Sequence, residues 1–243
     1  MKKLNYSYAL NFLLLIAMIA MVVKMKKNNP ELNSSLSPNN QSQNKFVDTT
    51  FDKISLGQRT MIYPMPVYVI GSYDENNIPN MMAVAWAGIN SSVPARVSIS
   101  ISSQRYSYNN IVNNKAFTIN IPSSKYLKEV DYVGNISGRD ENKFEATGLT
   151  PVKADSVNAP YIKEFPLVLE LKVISVEDYG SESHVQIIGE IMDVKADPDY
   201  LTTDGNPDIS KIDPLIFSYG TQDYHQVGNK IGTAGKEWPK LNQ

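Results

Sequence analysis

Hydroxyl groups and one arginine cluster at the end of a strand-like stretch, "VSISISSQRYSYNNI", which runs from Val97 to Ile111. The residues that could do chemistry there are Ser102, Ser103, Arg105 and Ser107. Serine hydroxyls can donate hydrogen bonds to an anion, a guanidinium adds a planar charge, and the N-terminus of a following helix adds free amides. These groups are the ones that a phosphate site needs. A plainer explanation stays open, in which the serines mark a wetted strand face and Arg105 is a surface residue.

A second feature is the ribbon "PNMMAVAWAGINSSVP", where alternate positions hold small side chains. The small residues are Ala83, Ala85 and Ala87, and they alternate with the larger Met82, Val84 and Trp86. A strand face without large side chains lets a flat ring lie against backbone groups. The alternative is a tightly packed barrel interior. Together with a phosphate site, a bare ribbon suggests a planar, phosphorylated ligand.

Other familiar chemistries lack their residues. The chain has no cysteine, which excludes disulfides, thiol nucleophiles and iron–sulfur clusters. His184 and His225 are the only histidines, and no HExxH pair, P-loop, GxGxxG or GxSxG sequence is present. We therefore expect no metal site. Neighbouring acids such as Asp140, Glu141 and Glu145 are interpreted as a solvated helix face.

Composition fits an ordinary globular domain. Of 243 residues, 42% are apolar and 20% are charged, and the formal net charge is -2. No overall basic field would attract nucleic acid, so nucleic-acid partners are not expected.

Three segments divide the chain. Residues 1–27 hold lysines around an apolar run and are interpreted as an uncleaved membrane anchor, with a cleaved signal peptide or a buried helix as alternatives. Residues 28–45 are rich in Asn, Ser, Gln and Pro, which predicts a flexible tether. Residues 46–239 are predicted to form one folded domain. Because lysines flank both ends of the apolar run, the side of the membrane is not set.

The domain shows mainly strand patterns. "VYVIGSY" and "MMAVAWAG" predict a hairpin around "DENNIPN", and strands follow at Arg96–Ser102 and at "AFTINIP". "PLVLELKVISVEDY" and "SHVQIIGEIMDVKAD" predict a long antiparallel pair with its turn at Gly180. In that pair Leu167, Leu169, Leu171 and Val173 are expected inward, and Gly189 is expected to mark a bulge or a close approach.

Short helices are expected between these strands. One is predicted from a cap at Ser107 to Asn113, a second near Lys125–Val133 after Ser123 and Ser124, and a third between Gly138 and Gly148. Strands without regular strand–helix alternation indicate a closed or partly closed antiparallel barrel with inserted short helices.

The order of several motifs resembles the flavin reductase-like family, and within it the flavoredoxin branch. They are "PVYVIGSYDENNIPNMMAVAWAG", the serine–arginine stretch, "FTINIP", "VDYVGNISGRDENKF" before "GLT", "APYIKE" before "LELKV", and a histidine separated from "GEI" by four residues. The similarity covers about Gly57 to Gly235. It implies a mainly β, FMN-binding split barrel that forms a homodimer with FMN at the subunit interface. Val133 and Leu171 stand where the family often has cysteines.

The resemblance also implies roles for individual residues. Asn80 and the ribbon Met82, Ala83, Val84, Ala85 and Trp86 would line the flavin ring, while Ser102, Ser103, Arg105 and Ser107 would hold its phosphate. The other family positions near the flavin are Asn120, Pro122, Lys143, Tyr219 and Tyr224. His184 would act as a catalytic residue that steers a donor or a proton, unless it is an ordinary exposed strand histidine.

Three functions stay open at this point. The first is an FMN-dependent oxidoreductase of the flavin reductase type, with NADH or NADPH as electron donor. The second is an FMN electron carrier between redox protein partners, without a nicotinamide site. The third is a barrel that binds no flavin. The N-terminal segment would place the protein at a membrane or outside the cell.

Overall fold

The computed structural model describes residues 53–180 and 183–237. The chain divides into two units, Met1–Gly57 and Gln58–Gln243, and the fold below is that of the second. The predicted apolar segment 1–27 and tether 28–45 lie outside the described residues. In the part of the chain that is described, no helix combines the length and apolarity needed to cross a membrane.

Short strands and a few short helices make up the second unit. The strands are β1 (Met65–Pro66), β2 (Tyr68–Tyr73), β3 (Pro79–Val84), β4 (Ala87–Ser92), β5 (Ala95–Ile101), β6 (Ala116–Ile121), β7 (Pro151–Lys153), β8 (Pro160–Ile162), β9 (Leu167–Glu177), β10 (Val185–Ala196), β11 (Ile216–Ser218) and β12 (Asp223–His225). The α-helices are α1 (Tyr106–Asn114), α2 (Leu127–Asn135), α3 (Lys143–Thr147) and α4 (Ile209–Ile212).

The main sheet is antiparallel, and its two edge strands are consecutive in sequence. The strand order is β3-β2-β6-β9-β10-β5-β4. Only Ala85 and Trp86 separate β3 from β4, so the sheet must curl until its two edges come close together at this connection. The Trp86 carbonyl accepts a hydrogen bond from the Ser100 amide at 2.8 Å, which ties the corner to β5. The mainly β, barrel-like architecture predicted from the sequence is confirmed.

Burial on both faces of β2, β3 and β6 explains their continuous apolar runs. Ile70 and Met82 face a core inside the barrel that also contains Phe117 and Leu171. The residues next to them in sequence, Val69 and Met81, face a second core. Helices α2 and α3 cover this core from outside and contribute Val130, Val133 and Phe144 to it.

The continuous strand expected for "MMAVAWAG" is wrong, because the chain leaves the sheet at Ala85 and re-enters it at the opposite edge. The helix predicted from Ser107 begins at Tyr106 instead. Arg105 is its N-cap residue, and Ser107 is buried in the first turn. The third helix is shorter than expected, since it begins only at Lys143; Gly148 ends it in the left-handed conformation with φ of 70°.

The long antiparallel pair β9–β10 is confirmed, and so are both expectations for Gly189. The pairing of β9 and β10 shifts register between Ile188 and Gly189. A Cβ atom at Gly189 would stand 2.8 Å from the Phe117 ring, so the close approach requires glycine. The inward face of β9 is only partly as expected, because Glu170 on its other face is completely buried.

Candidate functional site

Two adjoining cavities lie where β3, the β5–α1 loop and the loop after α2 meet. The first, called the loop cavity, has a volume of about 420 Å³, and the second, called the corner cavity, has about 310 Å³. They share the residues Met82, Ala83, Ser102 and Arg105. Because the shared wall joins them, they form one elongated cleft beside β3.

The β5–α1 loop brings hydroxyl and guanidinium groups to the loop cavity. β5 ends at Ile101, and the chain turns so that the Arg105 amide donates to the Ser102 carbonyl at 3.0 Å. The Ser102 hydroxyl accepts from the Gln104 amide at 3.3 Å and stabilises this turn. Helix α1 follows at once, with no side-chain cap and no acidic residue in its first turn. Its positive N-terminal end therefore suits an anion in the cavity.

Lys143 adds a buried cation to the same cavity. Its side chain is only 4% exposed, and its Nζ atom donates to the carbonyls of Met81 at 2.9 Å and Val133 at 2.8 Å. Burial, reinforced by the charge of Arg105, lowers the pKa of Lys143 to about 8. A lysine held only by neutral carbonyls keeps its charge available to a ligand.

The loop cavity is strongly cationic. Its lining contains Arg105, Arg139 and Lys143 and, among the described residues, no carboxylate. Mutual repulsion of these cations favours an anion in the cleft, although Asp74, Asp140 and Glu141 line an adjoining cavity with Arg139 and Lys143. The donors and charges present therefore match a phosphate group.

Asn80, near the start of β3, supports this arrangement. Its Nδ2 atom donates to the Ser107 hydroxyl at 2.8 Å, with both residues buried. Gly138 packs against it so closely that a Cβ atom there would stand 2.2 Å from the Asn80 Oδ1 atom. Asn80 thus fixes the first turn of α1 relative to β3 and lies outside the loop and corner cavities.

The corner cavity carries aromatic side chains against the alanine ribbon. Its lining includes Ala83, Val84, Ala85, Trp86, His184 and Tyr219. The Trp86 ring lies 4.6 Å from the His184 ring and 6.0 Å from the Tyr219 ring, measured between centroids. Such a wall of rings and small side chains fits a flat aromatic molecule.

Most of the predicted site residues meet in this cleft. The ribbon from Met82 to Trp86, together with Ser102, Arg105, Ser107, Lys143, His184 and Tyr219, lines one cavity or both.

Ser103, Asn120, Pro122 and Tyr224 do not reach it. Asn120 is fully buried, donates to the Val69 carbonyl and accepts from the Ile162 amide, so its side chain joins β2, β6 and β8. Tyr224 donates to Asp131 at 3.1 Å, and burial, together with that carboxylate, raises its pKa to about 12.

Sequence reasoning missed the wall opposite β3. The end of α2 and the following loop close the loop cavity on that side, and their residues there are Val133, Gly134, Ile136, Ser137, Gly138 and Arg139. Gln104 and Tyr106, on the side of the β5–α1 loop, were also not predicted. A Cβ atom at Gly134 would stand 3.3 Å from the Cβ atom of Ala83. The small residues of the ribbon thus also allow α2 to pack closely. The only signal for this wall was its place in the quoted "VDYVGNISGRDENKF" motif.

Known proteins share this architecture. The flavoredoxin of Desulfovibrio vulgaris (Miyazaki F) is 45% identical, with a TM-score of 0.72 over 76% of this chain and 98% of that chain. The flavoredoxin of Methanosarcina acetivorans is 30% identical, with a TM-score of 0.71 over 76% and 96% of the two chains. An uncharacterized protein of Archaeoglobus fulgidus is 34% identical over 65% of this chain and 86% of its own length.

A family model agrees with these similarities. The model described as "Flavin reductase like domain" matches residues 59–227, from before β1 to the residues after β12. The match includes both cavities and the whole seven-stranded sheet. The chain therefore belongs to the flavin reductase-like family.

Proposed function

We propose that the cleft binds FMN, with the phosphate in the loop cavity and the flavin ring in the corner cavity. The observation that carries this proposal is the cationic lining of the loop cavity, which contains three cations and, within the described ranges, no acid. Family membership and the similarity to two flavoredoxins support the same ligand. Bound there, FMN would supply the redox-active ring that accepts and donates electrons.

The protein's residues would then bind and orient this ring. Arg105 and the α1 N-terminus would hold the phosphate, and Lys143 would add charge from behind β3. The alanines of the ribbon would let the ring approach backbone groups of β3. Trp86, Tyr219 and His184 would pack around the ring and exclude water. His184 would steer the incoming electron donor or a proton.

The test is direct titration of the purified protein with FMN. We expect a shift of the flavin's visible absorption band on binding and a loss of about 1.5–3 kcal/mol of binding free energy in Arg105→Ala, the usual contribution of a charge-assisted hydrogen bond. If Arg105→Ala binds FMN as tightly as the unmodified protein, the phosphate is not where we propose.

We propose further that the protein is an NAD(P)H-dependent oxidoreductase of the flavin reductase type. Tyr219, which lines the corner cavity, is exposed, so a donor would reach the flavin ring from solvent on that side. The alternative is an electron carrier between redox proteins, which the similarity to flavoredoxins favours. Anaerobic addition of NADH or NADPH to the FMN-loaded protein distinguishes them: rapid bleaching of the flavin band supports the reductase, and an unchanged band supports the carrier.

Two further properties are proposals from the sequence. A homodimer would bring a partner subunit to the outer side of Tyr219, which is 42% exposed at the rim of the cleft. Light scattering of the FMN-loaded protein tests this, since a monomeric mass contradicts it. The segment 1–27 would hold the domain at a membrane. Fractionation with protease accessibility on intact cells tests both the attachment and the side.

A further inference from the structure

We infer that Arg139 closes the loop cavity over the phosphate and thereby determines how long the flavin stays bound. This inference rests on the proposed binding of FMN. It concerns a residue of the loop after α2, which neither the serine–arginine stretch nor the ribbon includes.

Arg139 reaches across the mouth of the cavity from the wall opposite β3. Its Nη1 atom donates to the Gln104 carbonyl at 3.2 Å, so it touches the loop that presents Ser102 and Arg105. Its guanidinium carbon lies 5.5 Å from the centre of the Tyr106 ring, within cation–π range. The side chain therefore joins the two walls of the cavity at the solvent side.

The Tyr106 ring, which lies beside the Arg139 guanidinium, is itself fixed to the β2–β3 turn. The Tyr106 hydroxyl donates to the Asp74 Oδ2 atom at 3.1 Å. The Asp74 Oδ1 atom accepts from the amides of Asn76 and Ile78, both at 2.8 Å. Tyr106 is thus held at its outer end by a carboxylate that the turn fixes in place, and its ring offers Arg139 a rigid surface.

The direct partners of Arg139 are both uncharged, while Asp74, Asp140 and Glu141 line a neighbouring cavity with it. A carbonyl and an aromatic ring orient a guanidinium without cancelling its charge, whereas a carboxylate would compete with a phosphate. In the ion pairs formed by the described residues, Arg139 takes no part. Its remaining N–H groups can therefore bind phosphate oxygens at the entrance of the cavity, which Arg139 lines.

The position of Arg139 separates its role from that of Lys143. Lys143 is buried and joins β3 to the end of α2, so its loss would disturb the site before any ligand arrives. Arg139 is exposed, and its loss would leave the cavity assembled but open. The main consequence is a faster dissociation of FMN. Retention matters for function, because a carrier must keep its flavin while a reductase can release it as product.

The experiment measures FMN dissociation from the loaded protein, using an excess of an unrelated flavin-binding apoprotein as trap. Arg139→Gln is compared with Arg139→Lys and with Lys153→Gln, which removes an exposed cation on β7. We expect Arg139→Gln to dissociate about 10- to 100-fold faster, as for loss of one charge-assisted bond. Arg139→Lys should be intermediate, because it keeps the charge but not the fork, and Lys153→Gln should match the unmodified protein.

Riboflavin, which lacks the phosphate, separates the possible outcomes. Its dissociation constant should change less than about twofold in Arg139→Gln if the residue acts on the phosphate. Equal losses for FMN and riboflavin would overturn the inference, and so would an FMN dissociation rate within twofold of the unmodified protein. Failure of the unmodified protein to bind FMN at all would instead refute the proposed function.

Discussion

Replacement of Lys143 by methionine tests whether the buried cation serves the phosphate. Methionine has a similar length and no charge, so it keeps most of the packing of a side chain that is 4% exposed. It leaves the carbonyls of Met81 and Val133 without their donor. We expect weaker FMN binding in Lys143→Met and, more specifically, the loss of a pH dependence that the unmodified protein should show.

The size of that pH dependence follows from the pKa of Lys143. Burial lowers the pKa from 10.5 to about 8 in the free protein. A phosphate dianion in the cavity favours the charged form, which returns the pKa toward 10.5. At pH 7 and below the lysine is mostly charged in both states, and affinity depends little on its titration. Between pH 7 and pH 9 the free lysine loses its proton, and FMN affinity should fall about tenfold.

The assay is fluorescence titration with FMN and with riboflavin at several pH values from 7 to 9. Over this range the FMN phosphate is already a dianion, since its second pKa is about 6. Riboflavin should show a change of less than about twofold, because it has no phosphate to interact with Lys143. Lys128→Met serves as the matched control, since Lys128 is an exposed lysine on α2.

Two results would refute this reasoning. One is an FMN affinity in the unmodified protein that stays constant from pH 7 to pH 9. The other is a tenfold fall that persists in Lys143→Met, since another group would then be titrating. A fall seen equally with riboflavin would assign the effect to the ring rather than to the phosphate.

Two further predictions concern stability and are measured by urea denaturation. Glu170 is fully buried and accepts from Lys195 and from two backbone amides, so Glu170→Gln should lower the free energy of unfolding by about 1–3 kcal/mol; Lys195 keeps its ion pair with Asp155. Burial by itself would raise the pKa of Glu170. Hydrogen bonds from Lys195 and two backbone amides, with the charge of Lys195, outweigh burial, so the net effect is a lowered pKa. The unmodified protein should therefore lose stability as the pH falls below about 4.5. If Glu170→Gln loses the same free energy of unfolding over that pH range, Glu170 is not the group responsible. Gly189→Ala should cost about 1–3 kcal/mol through its clash with Phe117, whereas Gly88→Ala, in open space, should be nearly neutral; equal effects would show that Phe117 is not the cause.

The strands could be predicted because their side chains repeat every second residue and their ends carry turn residues. The β9–β10 pair and the bulge at Gly189 follow from such local signals. The corner at Ala85 and Trp86 could not be predicted in the same way. Small and large residues continue to alternate through it, and only the pairing of distant strands shows that the sheet must change edges there.

The side of the cleft formed by the β5–α1 loop could also be predicted from local sequence. Ser102, Arg105 and Ser107 lie together in sequence, so their types could be interpreted as one site. The opposite wall depends on the packing of α2 against β3, which brings Gly134 and Arg139 to the cavity from distant positions. Individually, a glycine and an exposed arginine carry no signal for a ligand. Ser107 was predicted as a helix cap, but its hydroxyl is instead held by Asn80.

The buried charge of Lys143 makes stability and ligand affinity respond to pH in opposite directions. The shift of its pKa from 10.5 to about 8 costs the charged free protein about 3 kcal/mol of folding free energy. Between these two pKa values the unfolded chain binds more protons than the folded one, so the contribution of Lys143 to stability rises as the pH increases. The affinity for FMN should fall over the first part of the same range. In Lys143→Met, the rise of stability with pH and the fall of FMN affinity with pH should both disappear. If Lys143 had only a structural role, the fall of FMN affinity with pH would persist in the variant.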